Sequence, residues 1–132
     1  MIEYEISQDG LRIETYPTGV LDFKKTIEYF NALNNEQRIK QGATEIVYFK
    51  HVTDFKMSYL ESEKITESYQ APKATKMIDK TIFACETDLE YGMSNMLQAL
   101  HKITNPNHKV EVVRSESELE NAIKRPYSLI FE

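Results

Sequence analysis

Apolar and polar residues alternate at the start of the chain with the period of a half-buried strand. The alternating apolar or strand-forming positions are Ile2, Tyr4, Ile6, Leu11, Ile13 and Thr15. Asp9-Gly10 divides the two runs, and glycine tolerates the positive φ angle that a tight hairpin turn requires. The pattern predicts an N-terminal β-hairpin.

The period then changes to that of an amphipathic helix in four later segments. These helices are predicted to begin at Asp22, Ser58, Thr87 and Ser115, and the first ends near Asn34-Asn35. The second has a thin apolar stripe, with Leu60, Ile65 and Tyr69. The third has the clearest stripe, and Asn105-Pro106-Asn107 closes it. Its apolar positions are Leu89, Met93, Met96, Leu97, Leu100 and Ile103.

Short runs rich in β-branched and aromatic residues separate the helices. They are Glu45 to Phe49, Thr81 to Cys85 and Val110 to Val113, and Tyr127 to Phe131 could add a last strand. The order predicts an α/β fold: an N-terminal β-hairpin followed by alternating β/α units, with a mostly parallel mixed sheet flanked by helices. Residues 1–132 are predicted to form one domain.

Composition narrows the class of protein. The chain has 132 residues, a formal net charge of −5 and a single cysteine, Cys85. An intrachain disulfide and a thiolate zinc cluster are therefore excluded, and an acidic balance disfavours nucleic acid as a partner. The N-terminus lacks the pattern of a signal peptide, and no apolar run approaches the roughly 20 residues that span a bilayer. We expect a cytoplasmic protein without integral membrane association.

Ser58 is the first candidate regulatory residue. Ser58 and Glu61 have the spacing of a capping box, in which the serine accepts from a backbone amide and the glutamate accepts from another. A phosphate at this helix N-terminus would also be stabilised, which would make Ser58 a regulatory phosphoserine. The capping role is preferred because Glu61 completes the box.

Other candidates lie where strands give way to helices, the edge at which α/β sheets usually bind ligands. Asp54, Glu86 and Asp88 are expected there, although no glycine-rich phosphate loop accompanies them. Tyr91-Gly92 stands in the first turn of the third helix, where glycine costs about 1 kcal/mol relative to alanine. Close packing is the preferred explanation for Gly92, and room for a ligand is the alternative.

The remaining reactive side chains have simpler interpretations. His51, His101 and His108 have no metal-binding spacing, and they are expected at exposed loops and helix ends. Cys85 is interpreted as a small buried residue rather than a nucleophile. Three lysines form a basic cluster that is expected to be solvated: Lys73, Lys76 and Lys80. No cofactor is predicted.

The second half of the chain resembles a family. The segment from Thr81 to Met96 resembles the strand, the D-L-x-Y-G-M turn and the helix of a small bacterial group with the STAS-like fold, which anti-sigma-factor antagonists share with STAS/Sec14-like proteins. Val110 to Val113 and the helix after it resemble the closing elements of that group. Anti-sigma-factor antagonists carry an Asp-Ser pair at the start of the second helix, and Ser58 occupies that place here, with Met57 before it.

The resemblance implies a non-catalytic regulatory or protein-interaction module. The alternative, suggested by the Sec14-like side of the resemblance, is a module that binds a small apolar molecule or lipid at the face of Met93, Met96 and Leu97; an enzyme ranks last. A pocket larger than about 300 Å³ with converging polar groups would favour the ligand, and an apolar patch with a polar rim would favour a protein partner. The uncharged segment from Tyr127 to Phe131 further suggests a homodimer to which this segment or the helix before it contributes.

Overall fold

The computed structural model of the chain describes residues 2–68, 77–104 and 108–124. The helices and strands in these ranges are β1 (Glu3–Ile6), β2 (Arg12–Tyr16), β3 (Thr18–Asp22), α1 (Phe23–Asn34), β4 (Ala43–Tyr48), β5 (His51–Lys56), α2 (Tyr59–Ser68), β6 (Ile78–Ala84), α3 (Asp88–Thr104), β7 (Lys109–Val113) and α4 (Glu116–Lys124). No helix in the described part of the chain is long and apolar enough to cross a membrane.

In the described part of the chain, the main sheet has five strands in the order β1-β2-β4-β6-β7. β1 is antiparallel to β2, and the other neighbours are parallel. The hairpin turns through Gly10, whose φ is +75° and where an added Cβ would lie 2.2 Å from the carbonyl oxygen of Arg38. Glycine is therefore required by both conformation and space. The predicted α/β class, the hairpin and the mostly parallel mixed sheet are confirmed.

A second, two-stranded sheet was not predicted. β3 and β5 pair in parallel, with Leu21 opposite Phe55 and an irregularity between Gly19 and Val20. Most of β5 is polar and exposed, so neither strand shows the alternation from which the other strands were predicted. Pairing between distant segments, rather than local pattern, creates this sheet.

The two faces of the main sheet are covered unequally. Val47 and Phe83 pack in the larger core with residues of α1, α2 and α3, whereas the adjacent Ile46 and Ile82 pack in a smaller core with Ala122 of α4. This division follows from the alternation of side chains along each strand. Among the described helices, α1, α2 and α3 cover one face, and α4 packs on the other.

The predicted apolar face of α3 is partly wrong. Leu97 and Leu100 are buried, but Leu89 is 57% exposed and Glu90 is 4% exposed. Met93 and Met96 are half-buried, so Met96 is not the core residue that its spacing predicted. The side chain of Ile103 lies outside the described set. The buried face instead runs through Glu90, Ser94, Leu97 and His101 at regular helical spacing, so it is offset from the predicted face.

Helix α2 also departs from its predicted face. Ile65 is buried, but Leu60 is 68% exposed. The predicted capping box is confirmed: the Ser58 amide donates to Glu61 Oε1 at 2.9 Å, and the Glu61 amide donates to Ser58 Oγ at 3.1 Å. Tyr69 lies outside the described residues. Four other predicted features also lie outside the described residues: Lys73, Lys76, the helix stop at residues 105–107 and the strand Tyr127 to Phe131.

Leu97→Ala should lower the free energy of unfolding by about 2–5 kcal/mol, because it empties a packed site in the larger core. Leu89→Ala is the matched control on the same helix and should change it by less than about 0.5 kcal/mol, as is usual for exposed sites. Chemical denaturation of both variants measures the difference. Equal losses would show that the assigned helix phase is wrong.

Ser58→Ala should lower the free energy of unfolding by about 1 kcal/mol, and Ser58→Asp should retain most of it, because aspartate also caps helices well. Denaturation midpoints of the two variants distinguish a cap from an unimportant surface serine. Phosphate found on Ser58 in protein isolated from its native cells would instead support the phosphoserine hypothesis.

Candidate functional site

The carboxyl ends of the parallel strands β4, β6 and β7 meet at one edge of the main sheet. A cleft of about 600 Å³ opens there on the face covered by α4, and we call it the carboxyl-edge cleft. Its defining residues are Tyr16, Tyr48, Lys50, His51, Glu86, Arg114, Glu116, Leu119, Glu120 and Ile123. Ligand sites of open α/β sheets usually occupy this position.

Two tyrosines form an aromatic wall of the cleft. The rings of Tyr16 and Tyr48 stack with centroids 5.2 Å apart and an interplanar angle of 7°. Glu14 accepts hydrogen bonds from both phenols, at 3.0 Å from Tyr16 and 3.4 Å from Tyr48. Burial, followed by the neighbouring Glu14, raises the pKa of Tyr16 to about 12. Burial is also the main cause of the raised pKa of Tyr48. The wall therefore presents neutral phenols at neutral pH.

Arg114 is held at the opposite rim by three neighbours. Its Nη2 donates to Asp88 Oδ1 at 3.0 Å and, more weakly, to the carbonyl oxygen of Glu86 at 3.4 Å. Its guanidinium carbon lies 4.7 Å from the centre of the Tyr91 ring, within range of a cation–π interaction. The side chain of Arg114 keeps 38% of its accessible surface. The arrangement fixes a cation in place while it still faces solvent.

The predicted edge residues therefore fall into two groups: those that contact Arg114, and Asp54, which lies elsewhere. Glu86, Asp88 and Tyr91 all contact Arg114, which was not predicted as a site residue. Arg114 immediately follows β7, so the rule that sites lie at the carboxyl ends of parallel strands could have indicated it. Asp54 is exposed on β5, where its carboxylate accepts from the amide of Phe55 at 2.8 Å.

The packing explanation for Gly92 is wrong. An added Cβ at this position would meet no atom within 4 Å. A close backbone approach therefore does not require glycine there, and a ligand-related role for Tyr91-Gly92 stays a prediction.

Cys85 lies beneath the cleft and is buried, as expected. Its Sγ is 3.0 Å from Ser94 Oγ, and burial is the main cause of the raised pKa of its thiol. A raised thiol pKa leaves little thiolate at neutral pH, which opposes nucleophilic chemistry. In the described ranges, no group of three or more His, Cys, Asp or Glu side chains is arranged to hold a metal ion.

The expectation that all three histidines are exposed is wrong for two of them. His51 is exposed at the cleft, but His101 and His108 are 2% and 7% exposed, with ring centroids 5.1 Å apart. Burial lowers the pKa of His101 to about 3 and that of His108 to about 4. Both rings are therefore neutral at neutral pH, which allows their burial.

Lys80 was expected to be solvated, and this too is wrong. It is 2% exposed, and its Nζ donates to the carbonyl oxygen of Ala122 and lies 3.7 Å from Glu111 Oε2. A backbone carbonyl at the end of α4 and a carboxylate on β7 supply the partners that allow a buried ammonium group. Neither partner is near Lys80 in sequence.

A buried polar network crosses the larger core and was also missed. The hydroxyl of Tyr29 donates to Glu45 Oε2, and Glu45 is 0% exposed. Thr15 Oγ1 lies 2.7 Å from the Tyr29 hydroxyl, and Thr81 Oγ1 lies 2.8 Å from both Glu45 Oε1 and His108 Nε2. A glutamate within an otherwise apolar strand was the available sequence signal.

This network borders a cavity of about 60 Å³ in the larger core. We call it the core cavity, and its lining includes Thr15, Tyr29, Glu45, Met57, Ile65, Leu97 and His101. Of the predicted ligand face on α3, Leu97 lines this cavity. The cavity and the carboxyl-edge cleft lie on opposite faces of the main sheet.

No family model matches this sequence, and no curated protein shows significant similarity to it. Solved structures do match its fold. One is an uncharacterised protein of the DUF3478 family with a SpoIIAA-like fold from Shewanella loihica PV-4, with a TM-score of 0.58 and 10% identity over 92% of this chain and 91% of that one.

A second match is the anti-sigma factor antagonist SpoIIAA in its unphosphorylated form. Its TM-score is 0.50 at 8% identity, over 95% of this chain and 100% of that chain. Such low identity establishes the fold and leaves function to the side chains. The chain has a SpoIIAA-like fold, and the STAS-like resemblance is confirmed at that level.

Proposed function

We propose that this chain is a non-catalytic regulatory module that binds a protein partner at the carboxyl-edge cleft. The observation that carries the proposal is the fixed position of Arg114 between Asp88 and Tyr91 at the rim of the cleft. Arginine and tyrosine are enriched among residues that dominate binding energy at protein interfaces. An arginine that is already held in one conformation loses less entropy when a partner binds.

The surface around Arg114 is more typical of a protein interface than of an enclosed ligand site. Leu89 and Tyr91, on the first turn of α3, are exposed next to the ion pair, and Leu119 and Ile123 line the cleft. Apolar side chains within a polar rim are typical of a surface that another protein covers. A partner would bury these apolar side chains and leave the charged rim hydrated.

The charges of the rim indicate the chemistry of the partner. Glu86, Glu116 and Glu120 are exposed acidic residues of the cleft and outnumber its one exposed lysine, Lys50. The guanidinium of Arg114 is already paired with Asp88. We therefore expect an apolar segment flanked by basic residues. Complementary charge of this kind favours encounter and orientation more than final affinity.

The properties of Cys85 support the non-catalytic part of the proposal. It is the single cysteine of the chain and lines the cleft, and burial disfavours its thiolate. A cytoplasmic location is part of the same proposal, since a single cysteine suits a compartment in which thiols stay reduced.

A small-molecule binding function is the second candidate. The volume of the cleft, about 600 Å³, falls within the range of roughly 300–1,000 Å³ that is usual for ligand pockets. The stacked tyrosines could hold a planar molecule. Native mass spectrometry of protein purified from its own cells would reveal such a molecule as a discrete added mass.

Site-specific photo-crosslinking in native cells tests the leading proposal. A photoreactive residue in place of Glu120, in the cleft, should capture one discrete protein. The same residue in place of the exposed Glu28, on α1 at the opposite face, is the matched control and should capture none. Arg114→Ala should reduce the Glu120 crosslink roughly ten-fold or more, as expected for an interface anchor.

Equal crosslinking from both positions, or a crosslink that Arg114→Ala leaves intact, would contradict binding at the cleft. A copurified small molecule that is lost with Arg114→Ala would favour the second candidate instead. Circular dichroism of Arg114→Ala should remain that of the wild type, because the residue lies at the surface.

We further propose a homodimer to which the segment from Tyr127 to Glu132 contributes, on the basis of its β-prone, mostly apolar sequence. Deleting residues 127–132 should then convert a dimer to a monomer at micromolar concentration, as measured by analytical ultracentrifugation. A full-length protein that sediments as a monomer over the same range would refute the dimer.

A further inference from the structure

The aromatic wall of the carboxyl-edge cleft has a covered side and an open side. The rings of Tyr16 and Tyr48 are nearly parallel, and their centroids are 5.2 Å apart, close to the spacing of about 4.8 Å between neighbouring strands. The normals of the two rings therefore run from strand to strand. Tyr16, on β2, covers one face of the Tyr48 ring, and the other face is directed toward β6.

Ala84 leaves a slot beside that second face of the Tyr48 ring. The register of β4 and β6 places Ala84 directly opposite Tyr48, and both side chains pack against the core beneath α4. A methyl side chain does not fill the space that a larger residue would occupy between the ring and α4. The slot therefore has Ala84 as its floor, Tyr48 as one wall and α4 as the other.

The wall formed by α4 is apolar near the floor and acidic at the mouth. Leu119 and Ile123 are half-buried, whereas Glu116 and Glu120 are exposed, and all four line the cleft. Spacings of three and four residues place these side chains on one face of the helix. Within the described part of the chain, neither carboxylate forms an ion pair. A guest in the slot would therefore meet aliphatic groups first and carboxylates at the mouth.

The wall formed by the tyrosines offers hydrogen-bond acceptors. A phenol has one proton, and both tyrosines donate theirs to Glu14, at 3.0 Å from Tyr16 and more weakly at 3.4 Å from Tyr48. The phenol oxygens keep lone pairs that can accept, and the face of an aromatic ring carries negative potential. Both walls therefore favour a guest that has a positive charge and hydrogen-bond donors.

We propose that the slot binds a lysine side chain of the protein partner, an inference that rests on the proposed function of the cleft. The aliphatic stem of the lysine would contact Leu119 and Ile123, and its ammonium group would lie between the Tyr48 ring and the carboxylates of α4. The three rotatable donors of an ammonium group suit acceptors that are divided between two walls better than a planar guanidinium does. Ala84 determines whether the side chain can enter.

Small probes test the slot in the whole protein without any partner. The probe n-butylammonium reproduces the stem and charge of lysine, n-butanol has a neutral head and butyrate has a negative one. In NMR titrations, n-butylammonium should shift the methyl signals of Leu119 and Ile123 in a saturable way. Its affinity should exceed that of n-butanol roughly two- to five-fold, the gain expected of one exposed cation–π contact, and butyrate should bind most weakly. The methyl groups of the exposed Leu60, on α2, are the control and should show no saturation.

Two variants test the floor and the charge of the slot separately. Ala84→Leu fills the floor and should abolish the response to n-butylammonium, whereas Ala99→Leu, the same change at an exposed position on α3, should leave it intact. Glu116→Gln removes a carboxylate and should reduce the advantage of n-butylammonium over n-butanol. Glu28→Gln, exposed on α1, is its control and should not. Because Glu116 is exposed, this second comparison decides the matter even if Ala84→Leu fails to fold.

Three results of the titrations would overturn the proposal. The first is no saturable response to n-butylammonium, and the second is binding of n-butanol or butyrate that is as tight. The third is tighter binding of n-propylguanidinium, which would assign the slot to arginine.

Crosslinking separates this proposal from the proposed function. The crosslink from position 120, where Glu116 still supplies a carboxylate, should be lost with Ala84→Leu and kept with Ala99→Leu. A crosslink that requires Arg114 but survives in folded Ala84→Leu protein would overturn the lysine slot and leave the proposed function standing. Absence of any crosslink would contradict the proposed function, and the probe titrations would still decide whether the slot takes an alkylammonium group.

Discussion

The burial of the Glu45 carboxyl group is the constraint on which the interior of the fold depends. Glu45 lies on β4, the central strand of the main sheet, and has no exposed surface. Burying such a group is costly unless its oxygens are hydrogen-bonded, and Tyr29 on α1 and Thr81 on β6 meet this need. His108 extends the chain of contacts to the segment before β7. Apolar packing tolerates small shifts between these elements, whereas directional bonds fix their relative positions.

This dependence explains which parts of the fold the sequence could predict. The periodicity of apolar residues indicates which sides of a single element are buried. The strands β4 and β6 and the helices could therefore be predicted from their own residues. It does not report pairing between distant segments, which is why β3 and β5 were missed. The burial of Glu90 rather than Leu89 in α3 has a local cause: the Thr87 hydroxyl donates to Glu90 Oε2 at 2.6 Å, and the Glu86 amide donates to Oε1 at 3.1 Å. Capping there outweighs the apolar character of Leu89.

In the candidate sites, too, local sequence patterns do not predict contacts between distant segments. The carboxyl-edge rule indicated Glu86 and Asp88, because it requires only the order of strands and helices. It could also have placed Arg114 at this edge, but it does not specify the contacts of Arg114 with Asp88 and Tyr91, which are more than twenty residues away. The burial of His101 and His108 was equally inaccessible, since a histidine is buried or exposed according to partners that the fold supplies. Fold similarity at 8–10% identity does not transfer such contacts.

The alternation of side chains along β4 and β6 places the core cavity and the carboxyl-edge cleft back to back. Glu45 and Thr81 face the core cavity side, whereas the next residues, Ile46 and Ile82, belong to the core beneath α4. Tyr48, two residues beyond Ile46 on the same side, forms the aromatic wall of the carboxyl-edge cleft. Glu45 and Tyr48 are therefore positioned by the same short strand. The core cavity and the carboxyl-edge cleft share this backbone, within an interior packed closely enough to transmit strain.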